Sequence, residues 1–304
     1  MTHKALNVCV MLGGPSAERE VSLRSGAAAA RALRGLGHTV RELDPAGAGW
    51  QLPPDTDVVF LALHGTYGED GGVQERLEEL GAPYTGCGPE ASRIAFDKVL
   101  TKKRCLRDGI PTARFAVLAA PRPDLPPGWI PPVVLKPVRQ GSSIGLQFVE
   151  RAEQWKAALA EAFRHDTEVL MEEKIIGRET TVGILEDRAL PVVEIRVKSG
   201  AFDYRNKYTE GAAEHFCPAD FDAVTTAKIQ AAALGAFRAI GGRDFARVDV
   251  MVAPGGGPVV LEVNTLPGLT ELSIMPEAAA AAGLNYGQLC QRMIDLALKR
   301  SPRK

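Results

Sequence analysis

The sequence predicts a protein of mixed α/β and α+β class, with a parallel sheet in its N-terminal part. Two patterns in the 304 residues predict this class. In residues 1–95, short apolar runs alternate with helix-like stretches, which is the order of strands and crossover helices in a parallel sheet. Further along, strand-like runs more often follow one another directly, which is typical of α+β units. The length suits about two domains, or three smaller units.

The N-terminal unit begins with a strand, a glycine turn and a helix. Residues 7–12 are apolar and rich in β-branched side chains, a glycine pair ends that run, and residues 19–36 form an alanine-rich helical stretch. A second buried strand is predicted at 58–63 and a short helix at 73–80. Because ligands gather at the carboxyl ends of parallel strands, we expect binding residues directly after these two strands.

The rest of the chain divides into a central unit, residues 96–180, and a C-terminal unit, residues 181–304. The predicted helices are 97–107, 155–163 and 223–240, and the predicted strands before the last hairpin are 133–136, 144–149, 168–172, 181–185 and 191–197. Residues 199–218 are polar and lack periodicity, which in a compact domain indicates a functional lid or disorder. The pair Lys207-Tyr208 within this segment favours a lid loop.

Composition and charge exclude several classes of partner. The 36 lysines and arginines nearly balance the 37 acidic residues, and only 6% of residues are aromatic, so no broad basic surface for nucleic acid or an anionic membrane is expected. The N-terminal apolar run is too short for a signal segment or a membrane span, and we expect a cytoplasmic protein. The five cysteines include no C-x-x-C pair, and the histidines do not cluster, so neither disulfides nor zinc are expected.

The most informative segment, ARVDVMVAPGGGPVVLEVN, reads as two strands joined by a glycine turn. If the hairpin is centred on that turn, Asp249 lies opposite Glu262 and Arg247 lies opposite Asn264. Side chains two apart on a strand share a face, so these four project together. The opposite face is predicted to be apolar and to hold Val248, Val250, Leu261 and Val263.

Two carboxylates and an amide oxygen on one face suit magnesium, a hard cation that completes its shell with water and phosphate oxygens. The alternative is a solvated strand face with a salt bridge. The turn at residues 265–268, TLPG, favours the metal site because it can present backbone amides to the groups that the metal holds.

A second cluster, LKPVRQGSSIG, follows a strand with Lys136 and a glycine-serine loop. Backbone amides and a lysine could hold phosphates there, although a flexible turn has the same composition. It is not a Walker A loop, because no G-K-[ST] follows. Lys98 and Lys207 could add positive charge, but single lysines usually face solvent.

Taken in order, seven motifs resemble those of the ATP-grasp superfamily, and within it those of the D-alanine:D-alanine ligase family. They are LGGPSAEREVSLRSG, ALHGTYGEDG, YTGCG with FDKVLTK, LKPVRQGSSIG, NKYTEGAAEHFCPA, RVDVM and LEVNTLPGLT. The resemblance covers nearly the whole chain and implies an ATP-grasp fold of three domains, residues 1–95, 96–180 and 181–304, with residues 199–218 as the lid.

For the two substrate amino acids, the resemblance implies three binding residues. Glu18 would hold the ammonium of the first D-alanine with His64 beside it, and Ser273 would hold the carboxylate of the second. Tyr208 would bond to Ser142 and Glu18, closing the lid over the intermediate. Without the resemblance, a first-turn acid, a structural histidine and a helix-start serine explain the three residues equally well or better.

The resemblance also implies ATP and metal contacts. The ATP residues would be Lys98, Lys136 and Lys207 at the phosphates, Glu172 and Ile175 at the adenine, and Glu179 at the ribose. An acidic surface strand end is the alternative for the two glutamates. Some family members carry an aromatic residue where this sequence has Lys174.

Two Mg²⁺ or Mn²⁺ ions would be held by Asp249, Glu262 and Asn264 while the γ-phosphoryl group moves to the first carboxylate. The second D-alanine would attack this acyl phosphate, with Arg247 and the Gly268 amide holding the oxyanion.

The implied product is D-alanyl-D-alanine for peptidoglycan, made by a homodimer. A ligase using D-lactate or D-serine is the rival among enzymes, and Glu18, Tyr208 and Ser273 argue against it. A regulatory nucleotide-binding module without turnover is the rival from another class. It would need neither paired metal ligands nor an oxyanion arginine.

Overall fold

The computed structural model describes residues 4–47, 49–197 and 213–300. Within these ranges the strands form three sheets. The predicted parallel sheet at the N-terminal end is confirmed. Strand β1 (Asn7–Met11) lies between β2 (Thr39–Leu43) and β3 (Val58–Leu61) and runs parallel to both. Helices α1 (Arg19–Gly35), α2 (Gly72–Glu79) and α3 (Pro89–Phe96) belong to the same part of the chain.

Strands β1 and β3 are apolar because both of their faces are covered. Helix α1 packs closely on the end of β1, since a Cβ at Gly26 would lie 2.3 Å from the Cβ of Leu12. Strand β2 was not predicted. It is an edge strand with exposed side chains, and its sequence TVREL lacks the apolar run that identified its neighbours.

The second sheet is antiparallel in the order β4-β7-β5-β6. Its strands are β4 (Phe115–Leu118), β5 (Val133–Pro137), β6 (Gln147–Val149) and β7 (Val169–Glu173), and its helices are α4 (Lys98–Arg107) and α5 (Trp155–Ala162). Trp155 and Leu159 of α5 pack on this sheet. Strand β6 begins later than predicted because Ser142, Ser143 and Gly145 have positive φ and form a turn.

The third sheet is antiparallel in the order β10-β9-β8-β11-β12. Its strands are β8 (Arg178–Leu185), β9 (Arg188–Val197), β10 (Ala213–Phe216), β11 (Phe245–Ala253) and β12 (Gly257–Asn264), and α6 (Ala223–Ala239) covers one face. The expectation of irregular structure over 199–218 is wrong for residues 213–216, which form β10 against β9. Residues 198–212 lie outside the described ranges.

Two last helices return the chain to the N-terminal sheet. They are α7 (Ile274–Ala281) and α8 (Tyr286–Arg300). Met293 and Ile294 of α8 share a buried apolar cluster with Phe60 and Leu61 of β3. Residues 286–300 therefore complete the N-terminal core, and the expected limits of the three domains stay a prediction. No helix in the described residues is long and apolar enough to cross a membrane.

Candidate active site

The hairpin of β11 and β12 has the predicted register, with Arg247 opposite Asn264 and Asp249 opposite Glu262. Arg247 donates two hydrogen bonds to Asp249, from Nε to Oδ1 and from Nη2 to Oδ2, each 2.9 Å long. Asn264 donates from Nδ2 to Asp249 Oδ2 at 3.2 Å. The polar face of the hairpin is therefore a connected cluster centred on Asp249.

The prediction for Leu261 is wrong. A β-bulge lies between Asp249 and Val250, so that Val250 pairs with Val260 while Asp249 pairs with Glu262. Leu261 is the extra residue of this bulge, and its side chain lines a cavity instead of the apolar core.

Thr181, which was not predicted, supports Asp249 from the neighbouring strand. Thr181 is buried on β8 directly opposite Asp249, and its Oγ1 donates to Asp249 Oδ1 at 2.6 Å. A lone threonine in a strand gives no signal of this role. Only the pairing of β8 with β11 shows it.

The residues of this hairpin fit a magnesium ion by their chemistry. The described residues contain no group of three or more His, Cys, Asp and Glu side chains that could hold a metal. The candidate donors are instead the carboxylates of Asp249 and Glu262 and the amide of Asn264. Asn264 uses its nitrogen to bond Asp249, which leaves its carbonyl oxygen as the atom able to bind a cation. Mg²⁺ requires few protein oxygens when water and phosphate supply the others.

A cavity of about 910 Å³ lies between the second and third sheets. This is large enough for a nucleotide. It collects the ATP residues predicted within the described ranges together with both carboxylates of the hairpin: Lys98, Lys136, Glu172, Ile175, Glu179, Asp249 and Glu262. Lys207 lies outside the described residues.

Lys98 is the first residue of α4, where the Asp97 side chain caps the helix by accepting from the Leu100 amide. Its Nζ donates to the Gln140 carbonyl at 2.5 Å and lies 3.9 Å from Glu262 Oε2. Burial lowers the pKa of Lys98, and Lys136 lowers it further, although Glu262 opposes both. Lys98 therefore lines the cavity and lies beside Glu262, a candidate metal ligand.

Glu172 is buried between two lysines. Lys136 Nζ lies 2.5 Å from Oε2, and Lys102 Nζ lies 2.5 Å from Oε1. Burial alone would raise the pKa of Glu172, but the two lysine charges outweigh it and hold the pKa below its usual value. Lys102 was not predicted. The FDKVLTK motif contained a signal, since Lys98 and Lys102 are four apart and share one face of a helix.

An aromatic side chain lines the cavity near Lys174, but it comes from a different strand. Phe148 of β6 lines the cavity, and the Lys174 ammonium lies 5.4 Å from the centre of its ring. Lys174 also pairs with Glu150. Phe148 was not predicted, because only the pairing of β5 with β6 brings it to the cavity.

The loop between β5 and β6 contacts the start of α1. Ser142 and Ser143 adopt left-handed backbone conformations, with φ of 50° and 57°. The Ser142 hydroxyl donates to the Glu18 carboxylate, and a Cβ at Gly141 would lie 2.2 Å from Glu18 Oε1. Strained backbone of this kind is concentrated at functional loops. Two predicted residues far apart in the chain thus meet directly.

His64 is buried at the end of β3. Its Nδ1 bonds to the Leu266 carbonyl at 3.0 Å, and its Nε2 lies 3.1 Å from Ser25 Oγ. Burial lowers its pKa to about 4, and the positive Arg247 contributes in the same direction. His64 is therefore neutral at neutral pH, with Nδ1 donating to Leu266 and Nε2 accepting from Ser25.

Glu69 is a second acid that sequence analysis did not single out. Burial and the charge of Glu18 raise its pKa to about 8, while the Gly65 amide donates to it at 2.7 Å. Glu69 lies within the ALHGTYGEDG motif, so its position in that motif could have identified it as a candidate site residue.

Ser273 precedes α7 without capping it. Its Oγ instead accepts from the Thr270 amide at 3.0 Å and lies 2.7 Å from Thr270 Oγ1. A Cβ at Gly268 would lie 3.1 Å from this hydroxyl, so Gly268 and Ser273 are neighbours.

The predicted residues therefore form two parts. One part lines the cavity. The other part does not, and it consists of Glu18, His64, Ser142, Arg247, Asn264, Gly268 and Ser273. The hydrogen bonds between Arg247 and Asp249 join the two parts. Tyr208 lies outside the described residues.

Two family models match the chain. The model described as D-ala D-ala ligase N-terminus matches residues 42–87, and the model described as D-ala D-ala ligase C-terminus matches residues 108–295.

Individual relatives are similar over nearly the full length. A D-alanine–D-alanine ligase of Methylacidiphilum infernorum (isolate V4) is 42% identical over 294 residues, covering 97% of this chain and 96% of that protein. The solved structure of the D-alanine–D-alanine ligase of Bacillus anthracis complexed with ATP has a TM-score of 0.85 and 33% identity, with 98% of each chain covered. The VanG D-Ala:D-Ser ligase of Enterococcus faecalis has a TM-score of 0.84 and 29% identity, covering 97% of this chain and 100% of that chain.

Proposed function

This chain belongs to the D-alanine–D-alanine ligase family, and we propose that it joins two D-alanine molecules with ATP as co-substrate, supplying D-alanyl-D-alanine for peptidoglycan. The predicted ATP-grasp fold agrees with the solved ligase structures that it resembles. The observation that carries the proposal is the junction at Asp249. Its carboxylate lines the cavity and also accepts a hydrogen bond from Arg247, which belongs to the predicted residues outside the cavity.

In the proposed complex, ATP occupies the cavity between the second and third sheets. Phe148 and Ile175 lie against the adenine, and Glu179 bonds the ribose. Lys98 and Lys136 offer ammonium groups to the phosphates, at the end of the cavity where Glu262 lies near Lys98. Lys207 would reach the γ-phosphate from the lid.

Asp249, Glu262 and Asn264 would hold two magnesium or manganese ions, which would neutralise the phosphate charge during transfer. Arg247 holds Asp249 in place through two hydrogen bonds. The same arginine is positioned to stabilise negative charge on a substrate beside it, because it is mostly shielded from solvent and permanently charged.

The two amino acids would bind beside Arg247, among the predicted residues that lie outside the cavity. Glu18 would accept the ammonium of the first D-alanine, and Ser142 fixes the orientation of the Glu18 carboxylate. A carboxylate oxygen of that D-alanine would attack the γ-phosphorus of ATP, giving an acyl phosphate and releasing ADP.

Ser273 would hold the carboxylate of the second D-alanine, whose amine attacks the acyl phosphate and expels phosphate. Arg247 and the Gly268 amide would stabilise the tetrahedral oxyanion. Tyr208 in the lid would exclude water by bonding to Ser142 and Glu18. A cytoplasmic location and a homodimer are further expectations from the family.

A D-alanine–D-serine ligase is the second candidate, because one similar solved structure is the VanG D-Ala:D-Ser ligase. Neutral His64 and the half-buried Glu69 lie near Arg247. The side chains of D-alanine and D-serine carry no charge, so the charges of these two residues do not select one substrate over the other.

The test is phosphate release from ATP and magnesium with D-alanine alone, or with D-alanine and either D-serine or D-lactate, followed by mass analysis of the product. We expect D-alanine alone to give equal amounts of phosphate and D-alanyl-D-alanine. Turnover only with D-serine or D-lactate would overturn the substrate but keep the ligase chemistry. ATP binding without turnover under any condition would favour a regulatory module.

A further inference from the structure

Lys102 is a buried cation to which the proposed reaction gives no role. It lies on α4 one helical turn after Lys98, is 1% exposed, and is not among the residues that line the nucleotide cavity. A lysine in such a place is strongly unfavourable unless its charge is paired. Its partner is Glu172, 2.5 Å away.

Each of the two oxygens of Glu172 contacts a different lysine. Lys102, which does not line the cavity, contacts Oε1. Lys136, which lines the cavity, contacts Oε2. Two cations and one carboxylate leave one net positive charge in the trio. Because Lys102 neutralises Glu172, that charge remains on Lys136 at the cavity surface, where an anionic phosphate can meet it.

Lys102 also ties this trio to the third sheet. Its Nζ donates to Thr112 Oγ1 at 2.6 Å, and Thr112 Oγ1 donates to the Val260 carbonyl at 2.8 Å. Val260 belongs to β12, two residues before Glu262. A continuous chain of polar contacts therefore runs from Glu172 to the strand that carries a candidate metal ligand.

We propose that Lys102 is a positioning residue for ATP, which holds and neutralises Glu172 so that Lys136 can present its charge to the phosphates. This role rests on the proposed function, because it presumes that ATP fills the cavity. Lys102 itself touches no substrate. Its effect passes through Glu172.

The experiment measures ATP binding by calorimetry without D-alanine, so that no turnover occurs, together with the KM values for ATP and D-alanine. Lys102→Met should raise the Kd and the KM for ATP by about tenfold. Without Lys102, the charge of Glu172 is balanced by Lys136 alone, and Lys136 then attracts phosphate less strongly. The KM for D-alanine should not change. Lys103→Met, an exposed neighbour on the same helix, is the control and should bind ATP like the wild type.

A double-mutant cycle with Glu172→Gln separates this role from a general structural one. If Lys102 acts through Glu172, Lys102→Met should have little further effect on the Kd in the Glu172→Gln background. That pair also removes both buried charges, so it keeps the test open if Lys102→Met alone does not fold.

Unchanged ATP binding by folded Lys102→Met, or effects that multiply in the double variant, would overturn the positioning role. A lower melting temperature with an unchanged Kd would overturn it as well and make Lys102 purely structural. If the wild-type protein binds no ATP, the proposed function fails instead, so the two failures are distinguishable.

Discussion

The carboxylate of Asp249 is fixed from three directions, by Arg247, Asn264 and Thr181. Such support matters for a metal ligand, because its hydrogen-bond partners set the direction of the oxygens that bind the ion. The hydroxyl of Thr181 is the supporting group that is easiest to remove without changing volume or charge. It offers a clean test of the candidate metal site.

Thr181→Val should raise the magnesium concentration for half-maximal phosphate release by about tenfold, since Asp249 loses the hydrogen bond that orients Oδ1. Thr181→Ser keeps the hydroxyl and should stay close to the wild type. Magnesium titrations at saturating ATP and D-alanine measure both. Equal magnesium dependence of the valine and serine variants would contradict the assignment of Asp249 as a ligand.

His64 gives a prediction about pH and stability. Burial and Arg247 lower its pKa to about 4 in the folded protein, against about 6.5 in the unfolded chain. The unfolded chain therefore binds a proton between these pH values that the folded protein does not, so the free energy of unfolding decreases as pH falls through this window. From pH 7 to pH 5 this group should remove about 2 kcal/mol.

The check is urea unfolding of the wild type and His64→Asn at both pH values. The asparagine amide can still donate to the Leu266 carbonyl but does not titrate. Glu69 has the opposite sign, because its raised pKa stabilises the folded protein as pH falls from about 8 toward 4.5. The difference between wild type and variant isolates His64. An identical pH dependence would show that His64 is protonated in the folded protein.

At the scale of elements, the hairpin of β11 and β12 shows what an alternating sequence can and cannot predict. Its register was predictable because a glycine turn fixes the pairing and polar residues alternate with apolar ones. The bulge at Leu261 was not, since it adds one residue without a change in composition. Thr181 and Phe148 were missed for a related reason: each reaches the site by contacts between elements distant in sequence.

Glu262→Gln tests the hairpin as a metal-binding element. The substitution keeps the shape of the side chain but removes a charged oxygen donor, so phosphate release at ordinary magnesium should fall by at least about 100-fold. ATP binding without magnesium and the melting temperature should change little, because Glu262 is only partly buried. Glu153→Gln, in an exposed turn, is the control. Ordinary turnover by Glu262→Gln would contradict the metal assignment.

At the scale of the whole molecule, the site exists only where the three sheets meet. The Glu18–Ser142 contact joins the N-terminal sheet to the second sheet, and the His64–Leu266 contact joins it to the third. The class of each part could be predicted from local patterns. The packing of α8 on the N-terminal sheet could not, because it brings residues 286–300 back to a core formed at the start of the chain. The resemblance to the family supplied the predicted roles of residues that local patterns left ambiguous, and these roles stay predictions.

Gly141→Ala would disturb this junction with a single methyl group. Gly141 has no positive φ, so alanine suits its backbone, but the new Cβ would lie 2.2 Å from Glu18 Oε1. Because a glutamate side chain is flexible, Glu18 should move away from Ser142 while the fold stays intact. The KM for the first D-alanine should then rise by about tenfold, as expected when a charged hydrogen bond to substrate is misplaced. ATP binding should not change, since Glu18 lies outside the nucleotide cavity.

Gly35→Ala, at the end of α1, is the matched control because a Cβ there would meet nothing within 4 Å. Its KM values should equal those of the wild type, and its melting temperature should be equal or slightly higher, because alanine favours a helix more than glycine does. If Gly141→Ala instead weakens ATP binding and leaves the KM for D-alanine unchanged, the loop after β5 acts on the nucleotide alone. The contact between Glu18 and Ser142 would then have no part in holding the first substrate, and recognition of its ammonium would have to be sought in the other acid of the cluster, Glu69.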